Sequence, residues 1–321
     1  MKAVVYTQYG PPEVLQLKEI AKPQPKDNEV LIKVMATTVN RSDCAMLLAK
    51  PFIMRFGTGL FKPKNPILGT EFAGRIEAVG KHISKFKAGD DVFGFDDRGL
   101  STYAQYLTLP ETQAFTTMPE SASYEQAAAS IEGAHYAYNF INKVNLQTGE
   151  RVLVNGASGG IGSAMVQLLK HLGAHVMAVC DTKNLERIKS IGADEVIDYL
   201  KEDFTKIDQK FHYVFDAVGK SAFGKCKPLL LPGGVYISSE LGYMSQNVFL
   251  SLLTPLFGGK KVKFPIPFDR LKSIELIKKL TEEGHFKPVI DRKYQLEKIA
   301  DAFDYVSKGL KTGNVVITIP H

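Results

Sequence analysis

The chain has 321 residues, 45% hydrophobic, 10% aromatic and 23% charged, a globular composition long enough for two ordinary cores. No apolar run approaches the ~18–20 residues of a membrane span, and the opening Lys2-Ala3-Val4-Val5-Tyr6 lacks the apolar block and cleavage site of a secretory signal. A formal charge of +6 reads as solubility; with no interleaved aromatics around Lys260-Lys261-Val262-Lys263, no nucleic-acid partner is expected.

The first ~120 residues read as β-rich. Val30, Ile32, Val34 and Ala36 alternate with Glu29, Leu31, Lys33 and Met35, and a period of two marks a strand. Pro11-Pro12, Pro23-Gln24-Pro25 and Gly89-Asp90-Asp91 mark turns, and further strands are expected at 74–79, 92–95 and 102–107. Many short strands of this kind suggest a compact barrel. Near residue 120 the pattern changes to a helical stretch through Ala127-Ala128-Ala129 towards residue 144. From 151 onward strands (152–155, 176–179, 195–197, 213–216, 235–238, 262–266) alternate with helices (161–172, 185–191), which predicts a parallel sheet covered on both faces. The tail is read as helices over 271–283 and 296–308 and a last strand over 315–319.

The strongest chemical signal is Asn155-Gly156-Ala157-Ser158-Gly159-Gly160-Ile161-Gly162, placed directly after a strand and before a helix. There, small residues permit a tight turn and let backbone N–H groups approach a pyrophosphate at the helix N-terminus. Ser158, Gly159, Gly160, Ile161 and Gly162 are therefore candidate cofactor contacts, with Ala157 in the place of the first glycine of G-x-G-x-x-G. The alternative is an ordinary glycine-rich turn. Nucleotide preference is set at the end of the next strand, where the chain reads Cys180-Asp181-Thr182-Lys183. Asp181 suits a ribose 2′-hydroxyl and NAD; Lys183, or Arg187, suits a 2′-phosphate and NADP. The two signals conflict.

Further strings complete a pattern. They are Val39-Asn40-Arg41-Ser42-Asp43, Leu68-Gly69-Thr70-Glu71-Phe72-Ala73-Gly74, Val79-Gly80, Phe86-Lys87-Ala88-Gly89-Asp90-Asp91-Val92, Gly192-Ala193-Asp194, Asp216-Ala217-Val218-Gly219 and Gly233-Gly234. With the glycine string, they resemble the medium-chain dehydrogenase/reductase superfamily, and within it the zinc-free quinone oxidoreductase-like branch, over essentially the whole length. The resemblance implies an α/β protein with a GroES-like β-barrel domain (residues 1–123 and 267–321), a Rossmann doubly wound parallel-sheet domain (124–266), and homodimers. Zinc-dependent relatives carry catalytic Cys and His where this chain has Asn40 and Thr70, which are poor zinc ligands. Their four-cysteine structural lobe has no counterpart among the scattered Cys44, Cys180 and Cys226. No zinc is expected, although Glu71, Asp43 and His135 leave an improvised metal site open. The scattered cysteines also point to a reducing, cytoplasmic compartment.

Without a metal, the resemblance implies an NAD(P)H-dependent oxidoreductase, NADPH preferred and NAD possible, that delivers hydride to a quinone or an α,β-unsaturated carbonyl. Asn40 stands where zinc-free members place an active-site asparagine able to donate to a substrate oxygen; its alternative role is bracing the loop. Asp43 either orders the junction with the nucleotide domain or moves a proton. Some relatives have a tyrosine shortly after that Asp, where this chain has Ala45. Tyr136 stands where relatives place a threonine near the nicotinamide ribose, and its phenol is read as a donor to the substrate carbonyl or as a buried aromatic. Tyr199 matches a tyrosine packed on adenine, Val218 and Ser238 match segments lining the nicotinamide, and Asn314 replaces a lysine as a cofactor contact. Residues 46–65 form a long apolar insertion, read as a flap or as a packed loop, and the apolar run 248–257 as a dimer contact or substrate wall. Two other functions stay open: a zinc-free alcohol/ketone dehydrogenase using Tyr136 or His135, and a cofactor-binding scaffold without turnover.

Overall fold

In the computed structural model, which describes every residue except 53, 267 and 268, the alternating stretch near residue 30 forms an eleven-residue strand. It is preceded by the antiparallel pair β1 (Lys2–Val5) and β2 (Gln16–Glu19). The long strand is β3 (Glu29–Val39), which buries Val30, Ile32, Val34 and Ala36. Helix α1 (Arg41–Leu48) follows at once, where no helix is evident from periodicity. It starts because Asn40-Arg41-Ser42-Asp43 is a capping box, with the Asp43 carboxylate accepting the Asn40 backbone N–H at 2.8 Å. Residues 46–65 then hold the end of α1, a cis Lys50–Pro51 bond and the short α2 (Met54–Thr58). In that segment Phe52, Phe56 and Phe61 are exposed; Ile53 lies outside the described residues.

Strands β4 (Glu71–Val79), β5 (Asp91–Phe95), β6 (Tyr106–Pro110) and β7 (Phe115–Thr117) continue the first unit. The single helix expected from 127 to 144 is two helices, α3 (Tyr124–Ala129) and α4 (Ile131–Ile141). They part at Ser130, whose hydroxyl and backbone N–H both return to the Ala127 carbonyl, at 2.7 and 3.2 Å, closing the turn early. The alternating part gives β8 (Arg151–Asn155), α5 (Gly160–His171), β9 (His175–Cys180), α6 (Leu185–Ser190) and β10 (Glu195–Asp198). It continues with β11 (Phe211–Asp216), α7 (Phe223–Cys226), β12 (Leu230–Ser238), α8 (Gln246–Leu253) and β13 (Lys261–Lys263). The tail supplies α9 (Arg270–Glu282), β14 (Ile290–Gln295), α10 (Ile299–Ser307) and β15 (Asn314–Thr318).

Among the described residues, β8–β13 form a six-stranded parallel sheet in the order β10-β9-β8-β11-β12-β13. The order reverses at β8, the topological switch point of a doubly wound sheet. The second large sheet runs β14-β15-β3-β4-β5-β7 with β6 added to β3, antiparallel except for the β14–β15 pair. Its core joins Phe72, Tyr103, Phe115 and Phe303, and so draws on both chain ends. The chain divides into two compact units, Met1–Glu132 with Arg270–His321, and Gly133–Asp269, against sequence boundaries of 123/124 and 266/267. Helix α3 lies with the first unit because it packs on β3, β4 and β15.

Candidate active site

In the second unit the site begins where β8 ends. Gly156 has φ +80°, and a Cβ there would lie 2.7 Å from the Val218 side chain, so this residue makes the tight turn rather than Ala157, which is buried. The N–H groups of Gly156 and Ala157 return to the Val179 carbonyl at 3.2 and 3.0 Å. Gly159 is the N-cap of α5. A Cβ on Gly162 would meet the Gly156 carbonyl oxygen at 2.1 Å, whereas one on Gly159 meets that oxygen at an ordinary 3.6 Å. Gly162 is thus required by the packing of α5 on β8, while Gly159 is not required by the protein itself. The first-turn N–H groups, including those of Gly160, Ile161 and Gly162, have no acceptor within the helix and with the dipole suit an anion.

Two further strand ends hold the remaining candidates. Asp181 follows β9, accepts the Asn184 side-chain amide and stands 3.7 Å from the Lys183 ammonium. The acid and the base that conflict in the sequence are therefore neighbours, and Lys183 is exposed. Tyr199 follows β10 with its ring more than half exposed and its N–H on the Cys180 carbonyl at 3.1 Å. Thr182 donates to Asp198 at 2.5 Å, tying the two strand ends together. At the end of β11, buried Asp216 accepts the Asn155 amide (3.0 Å), the N–H groups of Gly219 (3.0 Å) and Ser221 (3.0 Å), and the Tyr236 hydroxyl (3.1 Å). This carboxylate fixes the loop bearing Val218. Ser238, buried at the end of β12, accepts the Glu240 N–H at 3.3 Å. On α4, Tyr136 is half-buried with its ring edge-on to His135 at 5.4 Å, and buried His135 contacts the Asn139 amide at 3.1 Å.

The first unit holds a buried polar cluster. The Asn40 side-chain nitrogen lies 2.9 Å from Glu132, 3.0 Å from Glu71 and 2.9 Å from the Thr38 hydroxyl. Its two N–H groups are therefore engaged within the protein, and its carbonyl oxygen accepts from the Lys311 ammonium at 3.2 Å. Glu132 also accepts the hydroxyls of Ser42 (2.5 Å) and Thr70 (3.0 Å). Glu71 accepts the Thr38 hydroxyl and, at 2.8 Å, the Glu132 backbone N–H. Asp43 is fully buried with one oxygen on the Asn40 N–H and the other without a hydrogen-bond partner. Burial, with the Glu132 charge beside it, lifts the Asp43 carboxyl to about 8. Burial likewise raises Glu71, helped by the Glu132 charge, and Glu132 itself, against the hydrogen bonds of Ser42, Thr70 and Asn40. Burial lowers the Lys311 ammonium.

Asn314 is buried in β15, and its amide donates to the Val289 carbonyl at 3.1 Å. Sequence reasoning missed Glu132, Thr38 and Lys311 as partners of Asn40, and Ser42 as a partner of Glu132. The available signals were a glutamate in the apolar run Ser130-Ile131-Glu132-Gly133-Ala134 and a lysine two residues before Gly313.

Comparison with known proteins decides the lineage. Residues 26–120 match the family model described as alcohol dehydrogenase GroES-like domain, and residues 191–317 that described as zinc-binding dehydrogenase. A 2-methylene-furan-3-one reductase of Solanum lycopersicum is 34% identical over 99% of this chain and 79% of its own. The chain belongs to the medium-chain dehydrogenase/reductase superfamily. It falls in the quinone oxidoreductase-like branch and is an oxidoreductase. A human quinone oxidoreductase is 30% identical, covering 99% of this chain and 98% of that protein. An Arabidopsis thaliana NADPH-dependent alkenal/one oxidoreductase is also 30% identical, with 99% and 79% covered. In fold, the structure of the quinone oxidoreductase from Coxiella burnetii superposes with a TM-score of 0.87 at 24% identity, over 100% and 99% of the two chains.

One family description names zinc, and the residues at hand do not fit it. The matching places carry an amide and a hydroxyl, Asn40 and Thr70, and both donate hydrogen bonds to Glu132. Zinc selects thiolate, imidazole and carboxylate, and among the described residues no group of three or more His, Cys, Asp or Glu side chains is arranged to hold a metal ion.

Proposed function

We propose that this medium-chain oxidoreductase is a zinc-independent, NADPH-dependent reductase of quinones and α,β-unsaturated carbonyls. One observation carries the reading: where zinc-dependent members bind their metal, this chain directs an amide and a hydroxyl onto a buried glutamate. The names of the relatives, a 2-methylene-furan-3-one reductase, an NADPH-dependent alkenal/one oxidoreductase and a quinone oxidoreductase, support the same substrate class. A saturated ketone needs its oxygen strongly polarised, whereas conjugate reduction spreads the arriving charge over an enolate that neutral donors hold. A bound nicotinamide supplies the hydride. The α5 N-terminus and the small residues before it would hold the diphosphate, Lys183 the 2′-phosphate, and Tyr199 the adenine. The Tyr136 hydroxyl orients the substrate oxygen, while Asn40 and Asp43 order the loop that opens α1.

The same reading includes a homodimer. Phe249, Leu252, Leu253, Leu256 and Phe257 are exposed at helical spacing along α8 and the 3₁₀ turn after it, so this helix turns an apolar stripe outward. Beside it β13 ends the six-stranded sheet, and a second copy would cover both.

The test follows NADPH and NADH oxidation against a panel of quinones, enals, enones and saturated aldehydes, with a chelator present. Turnover of the conjugated substrates with NADPH is expected. Activity confined to saturated carbonyls and dependent on added zinc would overturn the reading.

A further inference from the structure

Three buried carboxyls, Asp43, Glu71 and Glu132, and one ammonium, Lys311, meet around Asn40. Fully ionised, they would place a net charge of about −2 in the interior, and each uncompensated buried charge costs several kcal/mol. Protons are therefore retained in the cluster near neutrality. The charged and titratable groups facing Glu132 within this unit are Asp43, Glu71, Lys311 and Tyr103, with Arg41 and Cys44 around Lys311.

Its partners respond unequally to a proton. The Ser42 and Thr70 hydroxyls can rotate and accept from a protonated Glu132, since a hydroxyl both donates and accepts. Ser42 meets one Glu132 oxygen, and Asn40 and Thr70 the other, so a protonated Glu132 still offers Asn40 a carbonyl oxygen, but the bond is then neutral and about half as strong as one to a carboxylate. We propose that Glu132 is a positioning residue of the active centre: its two oxygens gather Asn40, Ser42 and Thr70, and whether it carries a proton decides how firmly Asn40 is held. Deprotonated Glu132 holds Asn40 by a charge-assisted hydrogen bond beside its contact with Glu71; protonation from solvent weakens that hold. The consequence for turnover rests on the proposed reductase activity.

Two variants separate charge from placement. Glu132→Gln keeps an amide oxygen to accept from Asn40 and Thr70 and an amide nitrogen that Ser42 can accept, but it cannot titrate. Glu132→Ala removes both. On the NADPH and enone assay, wild-type kcat/KM is expected to fall roughly fivefold from pH 8 to pH 6, the size of the difference between a hydrogen bond to a charged and to a neutral acceptor. Glu132→Gln should be flat over that interval, and Glu132→Ala should be depressed about tenfold or more at every pH. Infrared spectra of the full-length protein provide a readout independent of turnover and of the alanine variant's folding. A carboxylic-acid band that titrates between pH 6 and 9 in the wild type should be diminished in Glu132→Gln. An unchanged acid limb in Glu132→Gln, wild-type kcat in Glu132→Ala, or a band absent from the wild type would overturn the proposal. A protein that turns over no member of the panel would refute the reductase reading instead, and the infrared titration alone would then decide whether Glu132 carries the proton.

Discussion

Gly159 and Gly162 sit in one short loop, yet different forces require them. A methyl on Gly162 would have to displace the Gly156 carbonyl oxygen, 2.1 Å away, and backbone has nowhere to yield, so Gly162→Ala is expected to lower stability by about 2 kcal/mol or more, read by denaturant unfolding. A methyl on Gly159 meets only an ordinary 3.6 Å contact. Gly159→Ala should keep the wild-type Tm and weaken NADPH binding in calorimetry, because the added carbon would stand at the proposed diphosphate site. Equal loss of stability in both variants would show that both glycines are structural. Lys183 is the second residue-scale test. Its ammonium is 3.7 Å from Asp181, close enough to offset that acid's repulsion of a phosphate, and Lys183→Ala should raise the KM for NADPH roughly tenfold while leaving that for NADH unchanged. A shift of equal size for both nucleotides would remove Lys183 from the discrimination.

At the scale of elements, periodicity made the alternating half legible, and helix α5 and strands β8, β9 and β11 fall within two residues of their expected ends. Helix α1 was hidden because four residues of capping chemistry, not an apolar stripe, start it: it buries Asp43 together with Cys44, Met46 and Leu47. The cluster at Asn40 was hidden for a related reason. Its members come from β3, α1, β4, α4 and the turn before β15, and only the folded chain brings Glu132 and Lys311 to Asn40. The α8 stripe was legible as composition, but its outward face was not, since the same spacing normally points inward. Leu252→Asp combined with Phe257→Asp should convert a dimer to monomers in sedimentation analysis. A wild-type protein that sediments as a monomer would contradict that interface.

For the whole molecule, the buried carboxyls link folding to pH. The Asp43 carboxyl titrates at about 8 when folded and at about 3.9 when unfolded. Between those values the native state binds more protons than the unfolded chain, so stability falls as pH rises, by up to about 1.4 kcal/mol per pH unit for each such group. Glu71 and Glu132 act in the same direction. Lys311, lowered by burial, acts oppositely, in the window between its folded value and the ordinary lysine value. The Tm is therefore expected to decline from pH 5 to pH 8, with a shallower slope in Asp43→Asn; a Tm that rises over this interval would contradict the buried acids. The proposed activity requires reduction to proceed where an amide and a hydroxyl, Asn40 and Thr70, stand at the places of metal ligands and donate to a buried glutamate. Metal content and turnover measured on the same purified sample, with NADPH and an α,β-unsaturated ketone, test this most directly. Full kcat in protein stripped of zinc by chelation is the predicted result, and a rate that vanishes on chelation and returns with one equivalent of zinc would contradict it.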